Sequence, residues 1–197
     1  MYNFFATISR MKYIDRWALM RNSRDETLSE HSIETAFIAH ALCLIGNKRY
    51  DRHLDPNRAA VIAMYHDATE IITGDMPTPV KYLSKEIRDT YALIEENAIS
   101  NLISQLPEDL KEEYTELLRG RTDELTHTFV KAADKLSAYI KCIEEEKSGN
   151  AEFKTAKDSI YETILDKYSK YPEIMDFLKE FIPAYGHTLD ELRKNPN

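Results

Sequence analysis

One stretch of the sequence, residues 63–75, reads AMYHDATEIITGD and joins an apolar run to several ionisable side chains. Burying an unpaired charge is costly, so such groups are normally paired, bound to a metal or exposed to water. In a continuous helix, His66, Asp67 and Glu70 would share one side, because residues three and four apart are neighbours on a helix surface. Taken alone, the His-Asp pair is equally typical of a polar pair at a helix surface.

Two further residues strengthen the case for a metal site. His31 lies near the start of a predicted helix in LSEHSIETAF, and Asp134 lies beside the apolar Ala133 in VKAADKLSAYIK. A charge next to a core-facing stripe needs a partner. With His66 and Asp67, these residues give two imidazoles and two carboxylates, a ligand set suited to Mn, Fe, Co, Ni or Zn rather than Ca. Water and substrate can bind only if the ion accepts more than four ligands.

The composition is that of a globular protein and excludes several function classes. The chain has 197 residues, 43% of them hydrophobic, and a net charge of -8, so a nucleic-acid polymer is not an expected partner. The glycine patterns of dinucleotide and P-loop sites do not occur in the sequence. The longest apolar run, AAVIAMY, is far shorter than the roughly 20 residues that span a bilayer. We therefore expect no membrane partner, and a single domain over residues 1–197.

The cysteines and the first residues predict a cytoplasmic protein. Cys43 and Cys142 are too few for a disulfide scaffold, and both fall within helical patterns. We expect them to be reduced thiols in the core. The start of the chain, MYNFFATISRMKYIDRW, lacks the apolar segment of a signal peptide.

Nearly every segment has helical periodicity, which predicts an all-α fold. The spacing of Ile33, Phe37 and Leu44 predicts the core-facing stripe of one helix, with His40 on the same face as a structural residue. The Asp55-Pro56 pair is typical of a helix start. That helix is expected to run to about Thr73 and to end at Gly74.

The second half of the chain follows the same pattern. A long helix is predicted over residues 124–147, and its acidic end, EEEK over 144–147, is expected to face solvent. Residues 74–82, GDMPTPVKY, form the tightest non-helical segment. Side chains that accept backbone hydrogen bonds are predicted to cap four helices: Asp55, Ser84, Asn150 and Thr188.

The order H…HD…D on consecutive helices resembles the HD-domain metal-dependent phosphohydrolase superfamily. Three segments are also similar to the bacterial 5′-deoxynucleotidases of the YfbR type: ISRMKYIDRWALMRNSRDETLSEHS, AMYHDATEIITGDMPTPVKY and FVKAADKLSAYIKCIEE. The similarity covers nearly the whole chain in order, and RW together with GDMPTPVKY is its most specific part. The resemblance implies a compact multi-helix HD-domain bundle that hydrolyses deoxyribonucleoside 5′-monophosphates, and it implies a homodimer.

The resemblance also implies roles in the chemistry. One divalent ion would be held by His31, His66, Asp67 and Asp134. Co²⁺ or Mn²⁺ is the expected ion, with Zn²⁺, Fe²⁺, Ni²⁺ and Cu²⁺ as alternatives. The ion would bind a phosphate oxygen and lower the pKa of the attacking water. Glu70 would act as the general acid or base and protonate the leaving 5′ oxygen.

The implied substrate contacts lie in two segments. Arg16 would orient the phosphate through its planar donor fork, and Trp17 would pack against the base. Asp75 would accept a hydrogen bond from the sugar 3′-hydroxyl, and the loop stiffened by Pro77 and Pro79 would exclude a 2′-hydroxyl, with Lys81 supporting the pocket. The full set of implied substrate-binding residues is Arg16, Trp17, His31, Asp67, Asp75, Met76, Pro77, Thr78 and Asp134.

Other interpretations stay open beside these roles. Trp17 could fill the core, Arg16 could pair with a nearby acidic residue such as Asp15, and Asp75 could be only a turn residue. The functional alternatives are an HD-type phosphodiesterase, a hydrolase of another nucleotide such as a guanosine alarmone, and a regulatory helical domain that binds nucleotide and metal without turnover.

Overall fold

The computed structural model describes residues 1–77, 80 and 83–194. Over these residues the fold is helical, and the only β-type pairing in them is an isolated bridge between Asp15 and Thr27. The predicted all-α fold is confirmed. A single domain over residues 1–197 stays a prediction.

The helices bounded within the described residues are, in chain order, α1 (Phe4–Ile8), α2 (Leu28–Arg49), α3 (Pro56–Tyr65), α4 (Glu70–Thr73), α5 (Lys85–Ser104), α6 (Lys111–Leu118), α7 (Glu124–Lys147), α8 (Lys154–Tyr168), α9 (Pro172–Glu180) and α10 (Leu189–Lys194). Helices α2, α3 and α7 pack against one another and form the centre of the bundle, while α8 covers α7 and α9 covers α2. This centre is the part of the fold that positions the site.

Local hydrogen bonds set the helix starts where the sequence predicts them. The Asp55 side chain accepts from the amide of Arg58 at 3.0 Å, and the Ser84 hydroxyl accepts from the amide of Ile87 at 3.2 Å. Asn150 caps the short 3-10 turn before α8 rather than α8 itself. The long helix α7 begins and ends as predicted.

The helix expected to run from Pro56 to Thr73 is interrupted at residues 66–69, so that prediction is wrong. The amide of Ala68 bonds to the carbonyl of Tyr65 at 3.1 Å, which is the tighter spacing of a turn. The cause lies in a side chain. Nδ1 of His66 lies 2.7 Å from the Ala63 carbonyl oxygen, the group that a continuing helix offers to the amide of residue 67.

The predicted core stripe of α2 is also wrong. Ile33 is 41% exposed, Phe37 is 67% exposed and Leu44 is 39% exposed. The buried face instead combines the small residues Ala36 and Ala39 with larger ones such as Leu42, and it packs against α3 and α7. Helix α2 carries apolar residues on both faces, so periodicity alone selects the wrong one.

The acidic end of α7 contains a further correction. Glu144, Glu146 and Lys147 are exposed as expected, but Glu145 is 1% exposed. Its carboxylate accepts hydrogen bonds from Lys141 and from the amide of Ser23 at 2.8 Å. Burial would raise the pKa of Glu145, but these donors outweigh it and lower the pKa to about 2. Glu145 therefore fixes the loop before α2 to α7.

Two other expectations bear on the environment of the protein. Cys43 and Cys142 are buried free thiols, as predicted. Among the described residues, no helix combines the length and apolar character needed to cross a membrane.

Candidate metal centre and adjoining cavity

The structure brings four predicted ligands together where α2, the end of α3 and α7 meet. One donor atom from each of His31, His66, Asp67 and Asp134 lies within 4.8 Å of all the others. Nε2 of His66 is 3.0 Å from Oδ2 of Asp67, and Nε2 of His31 is 3.3 Å from Oδ1 of Asp134. Because the helix is interrupted after α3, the adjacent residues His66 and Asp67 both lie in the cluster.

Hydrogen bonds at the far side of each imidazole fix its tautomer. Because a carbonyl can only accept, the contact with Ala63 requires a proton on Nδ1 of His66. Nδ1 of His31 lies 3.0 Å from the Ser137 hydroxyl, which itself donates to Glu34 at 2.6 Å. The Ser137 oxygen therefore accepts from His31. Both neutral rings turn the lone pair of Nε2 toward the cluster, the arrangement of a histidine that binds a metal.

The donor set fits a divalent cation. The Nε2 atoms of His31 and His66 are buried, and neither has a hydrogen-bond partner among the described residues. Burial alone would raise the pKa of Asp67 and of Asp134, but the adjacent imidazoles, joined at Asp134 by the ammonium of Lys135, outweigh burial and lower both pKa values. Two ionised carboxylates and two buried lone pairs at one point call for a positive charge.

The two histidines differ in their electrostatic surroundings. Burial lowers the pKa of His31, which favours the neutral imidazole that metal coordination requires. For His66, burial acts in the same direction, but the charge of Asp67 outweighs it and raises the pKa. His66 therefore attracts a positive charge at Nε2, which either a proton or a metal ion can supply.

Arg16 lies close to this cluster in the loop before α2. Its side chain is 11% exposed and its Nη1 atom lies 2.6 Å from Oε2 of Glu26. Burial would lower the pKa of Arg16, but the charges of Glu26, Asp134 and Asp67 outweigh burial and raise it. The guanidinium is thus a fixed positive charge beside the carboxylates of the cluster.

Trp17 has a backbone conformation that is rare for residues other than glycine. Its φ is +59°, in the left-handed region. The amide N–H donates to Oδ2 of Asp75 at 3.3 Å, and the indole N–H donates to Oε2 of Glu26 at 3.2 Å. The ring centroid lies 5.3 Å from that of Phe153. Contacts at both ends of the residue therefore hold the strained conformation.

A cavity of about 750 Å³ opens beside these residues. Its lining includes the charged residues Arg16 and Asp75 and the neighbouring Trp17, Met76 and Pro77. Helix α8 also contributes to the lining, through Ala156, Ser159 and Ile160. The predicted contact Thr78 and the supporting residues Pro79 and Lys81 lie outside the described residues.

Glu70 begins α4, directly after the turn that carries His66 and Asp67. Its amide donates to the carbonyl of Asp67 at 2.9 Å, and its own carbonyl accepts from the amide of Gly74 at 2.8 Å. One carboxylate oxygen of Glu70 is buried. The backbone thus links Glu70 to the metal cluster on one side and to the loop of Asp75 on the other.

Sequence reasoning missed three residues of the site. Glu26 contacts two predicted site residues in the loop before α2, and Ser137 contacts the predicted ligand His31. Glu34 contacts Ser137. The sequence alone predicted no role for any of the three. Glu34 offered a signal in retrospect, because a carboxylate three residues after His31 lies on the same side of α2. The contacts that Glu26 makes within the loop left no such signal in the sequence. His40 is half-buried and lies outside the cluster.

Comparison with known proteins gives consistent matches over nearly the whole chain. Residues 3–185 match the family described as 5′-deoxynucleotidase YfbR-like. A 5′-deoxynucleotidase from Pectobacterium atrosepticum is 46% identical over 194 residues, covering 98% of this chain and 96% of the relative. One from Vibrio vulnificus is 46% identical over 191 residues, covering 96% of this chain and 97% of the relative.

Solved structures share the fold. An HD-domain phosphohydrolase from Listeria innocua has a TM-score of 0.81 at 25% identity, covering 93% of this chain and 88% of that one. The cyanophage S-2L HD phosphohydrolase DatZ, solved with dA and one catalytic Zn²⁺ ion, has a TM-score of 0.66 at 18% identity and 96% coverage of both chains. At that identity, the second match supports the fold alone.

Proposed function

We propose that this chain, which belongs to the YfbR-like 5′-deoxynucleotidase family, uses one divalent metal ion to hydrolyse deoxyribonucleoside 5′-monophosphates to deoxyribonucleosides and phosphate. It is a phosphoric monoester hydrolase. The observation that carries the metal-dependent mechanism is the convergence of His31, His66, Asp67 and Asp134 beside a cavity of nucleotide size.

The four-residue cluster would hold the ion. A divalent cation bound there supplies a Lewis acid for the phosphate and a water of lowered pKa. The protein residues contribute the charge and the orientation: the carboxylates of Asp67 and Asp134 are held ionised, and the imidazoles of His31 and His66 are held as the tautomer with a free Nε2. Asp67 and Asp134, which would hold the ion, would then also lie near the phosphate of the substrate.

Arg16 would orient the phosphate. Its guanidinium is nearly buried, it is held by Glu26, and the nearby carboxylates favour its charged form. Glu26 occupies Nη1, which leaves the other donors of the planar fork for a phosphate oxygen. A fixed positive charge that does not move during the reaction stabilises the charge that develops in the transition state.

Glu70 would deliver the proton that the leaving 5′ oxygen needs. The proposal is supported by the backbone hydrogen bonds of Glu70 to Asp67 of the metal cluster and to Gly74, which begins the loop proposed to contact the sugar. A general acid that is not a metal ligand can be lost without loss of the metal, which makes this role separable by experiment.

The walls of the cavity match the remaining parts of the substrate. Asp75 would accept a hydrogen bond from the sugar 3′-hydroxyl, and the backbone at Met76 and Pro77 would exclude a 2′-hydroxyl. Trp17 would stack on the base, a contact that tolerates different bases because each has a π-face. The proposal also includes Co²⁺ or Mn²⁺ as the metal, a homodimer and a cytoplasmic location. The buried free thiols are consistent with that location.

A substrate panel tests the proposal. Metal-free protein is reloaded with Co²⁺, Mn²⁺, Zn²⁺ or Mg²⁺, and phosphate release is measured from five deoxyribonucleoside 5′-monophosphates and their ribose counterparts. We expect kcat/KM to favour each deoxynucleotide, with little dependence on the base. Preferential hydrolysis of a 3′-monophosphate, a diester or a guanosine alarmone would overturn the substrate assignment. Binding without turnover would favour the regulatory alternative.

A further inference from the structure

We propose that Glu26 is a positioning residue that holds the phosphate-binding Arg16 and the base-stacking Trp17 as one unit, an inference that rests on the proposed function of those two residues. Oε2 of Glu26 accepts from Nη1 of Arg16 at 2.6 Å and from the indole N–H of Trp17 at 3.2 Å. One oxygen atom therefore fixes the angle between the two side chains.

The backbone strengthens this connection. The amide of Arg16 donates to the carbonyl of Glu26 at 2.9 Å, and the amide of Leu28 donates to the carbonyl of Ile14 at 2.8 Å. These bonds pair the segment before Arg16 with the segment that leads into α2. The backbone of Glu26 is therefore hydrogen-bonded to the segment that carries Arg16 and Trp17. Its carboxylate has little freedom to move away from these two side chains.

Burial makes the loss of the ion pair between Arg16 and Glu26 costly. The side chains of Arg16 and Glu26 are only 11% and 12% exposed. Removing one partner of a buried pair leaves the other charge without compensation. The other anions that raise the pKa of Arg16 are Asp134, Asp67 and Asp75, two of which belong to the metal cluster. Without Glu26, these carboxylates would be the remaining anions near the guanidinium.

The same carboxylate also holds the side chain of Trp17, whose backbone is strained. A positive φ persists only when neighbouring groups hold it. Asp75 holds the amide of Trp17, and Glu26 holds the far end of its indole ring. Loss of Glu26 would release the ring while Asp75 still holds the backbone. The stacking surface would then move relative to the phosphate site.

Two substitutions separate the charge of Glu26 from its hydrogen bonds. Glu26→Gln retains an oxygen that can accept from the indole and from Nη1 of Arg16 but loses the negative charge of the ion pair. Glu26→Ala loses both contacts. The matched control is Asp25→Asn, which removes the same charge from the neighbouring exposed residue, for which the described structure gives no hydrogen bond or ion pair. Thermal unfolding monitored by circular dichroism verifies that each variant is folded.

The first readout needs no substrate. Trp17 is the only tryptophan in the chain, so its emission and its quenching by acrylamide report on this site alone. We expect greater quenching in Glu26→Ala than in the unmodified protein, with Glu26→Gln and Asp25→Asn close to the unmodified protein. Unchanged quenching in a folded Glu26→Ala protein would overturn the inference.

The second readout separates binding from chemistry. For dAMP we expect Glu26→Ala to raise KM by about 10- to 100-fold, the range for loss of a charged hydrogen bond, with a smaller change in kcat. Glu26→Gln should raise KM by a smaller factor, because it loses only the charge. An unchanged KM in both Glu26 variants would overturn the positioning role. If the unmodified protein released no phosphate from any deoxynucleotide, the proposed function would fail, while the fluorescence result would still decide the structural role of Glu26.

Discussion

Replacing Ser137 by alanine should weaken metal binding although Ser137 is not a proposed ligand. The Ser137 hydroxyl accepts from Nδ1 of His31 at 3.0 Å, at a site where the His31 side chain is fully buried. Without that acceptor, the ring can move its proton to Nε2 and donate to Asp134, whose Oδ1 lies 3.3 Å away. A ring protonated on Nε2 has no free lone pair on that nitrogen for the metal. The proton must therefore return to Nδ1 before His31 can bind the metal.

The magnitude follows from the cost of an unpaired buried donor. Leaving Nδ1–H of His31 without a partner costs about 1–3 kcal/mol. Loss of a residue that supports a metal-binding histidine typically lowers metal affinity by about 10- to 100-fold, which agrees with this range. We expect Ser137→Ala to raise the dissociation constant for Co²⁺ or Zn²⁺ by that factor. Competition with a chromophoric chelator measures it directly.

Ser32 provides a matched control. It lies next to His31 on α2 and is 4% exposed, and its hydroxyl has no hydrogen-bond partner among the described residues. Ser32→Ala therefore removes an equally buried hydroxyl without touching the imidazole. If Ser137→Ala bound the metal as tightly as the unmodified protein, or if both variants weakened binding equally, the supporting role of Ser137 would be refuted.

Three further predictions address the acid, the sugar wall and a buried carboxyl group. Glu70→Gln should lower kcat by about 10²- to 10⁴-fold with the metal still bound, as shown by metal analysis of the purified variant, and near-normal turnover would reassign Glu70 to a structural role. Asp75→Ala should lower kcat/KM for dAMP, while Pro77→Gly should reduce the ratio of dAMP to AMP hydrolysis in the same assay; unchanged values would argue against the sugar wall. Burial raises the pKa of Glu34 from 4.5 to about 7, so the folded state retains a proton that the unfolded state releases, and stability is lost as the pH rises through that window. In metal-free protein, Glu34→Gln should therefore have a larger free energy of unfolding in urea than the unmodified chain at pH 8, by at most about 3 kcal/mol, but not at pH 4. An equal difference at both pH values would contradict this.

The sequence predicted the parts of the fold that depend on local chemistry. Caps such as Asp55 and Ser84 have side chains that bond to amides three residues later, and those contacts need no tertiary information. The need of Asp134 for a partner within the core was also predictable, because it lies beside an apolar stripe. Its grouping with His31 in one metal site was implied by the family resemblance.

Tertiary packing decided the features that the sequence did not predict. The exposed Phe37 and the buried Ala39 lie on opposite faces of α2, and only the positions of α3 and α7 distinguish those faces. Glu145 belongs to a charged run but becomes buried because the loop at Ser23 covers it. Glu26 likewise gains its role from a loop pairing that leaves no periodic signal in the sequence.

Titration of metal-free protein with Co²⁺ tests the central proposal most directly. Phosphate release from dAMP is measured after each addition, together with the amount of metal bound per chain. The four-ligand site predicts that activity rises from near zero in proportion to bound metal and stops rising at one ion per chain. Asp134→Asn should bind no stoichiometric metal over the same range. Full activity without metal, or a metal-loaded and active Asp134→Asn protein, would contradict the account.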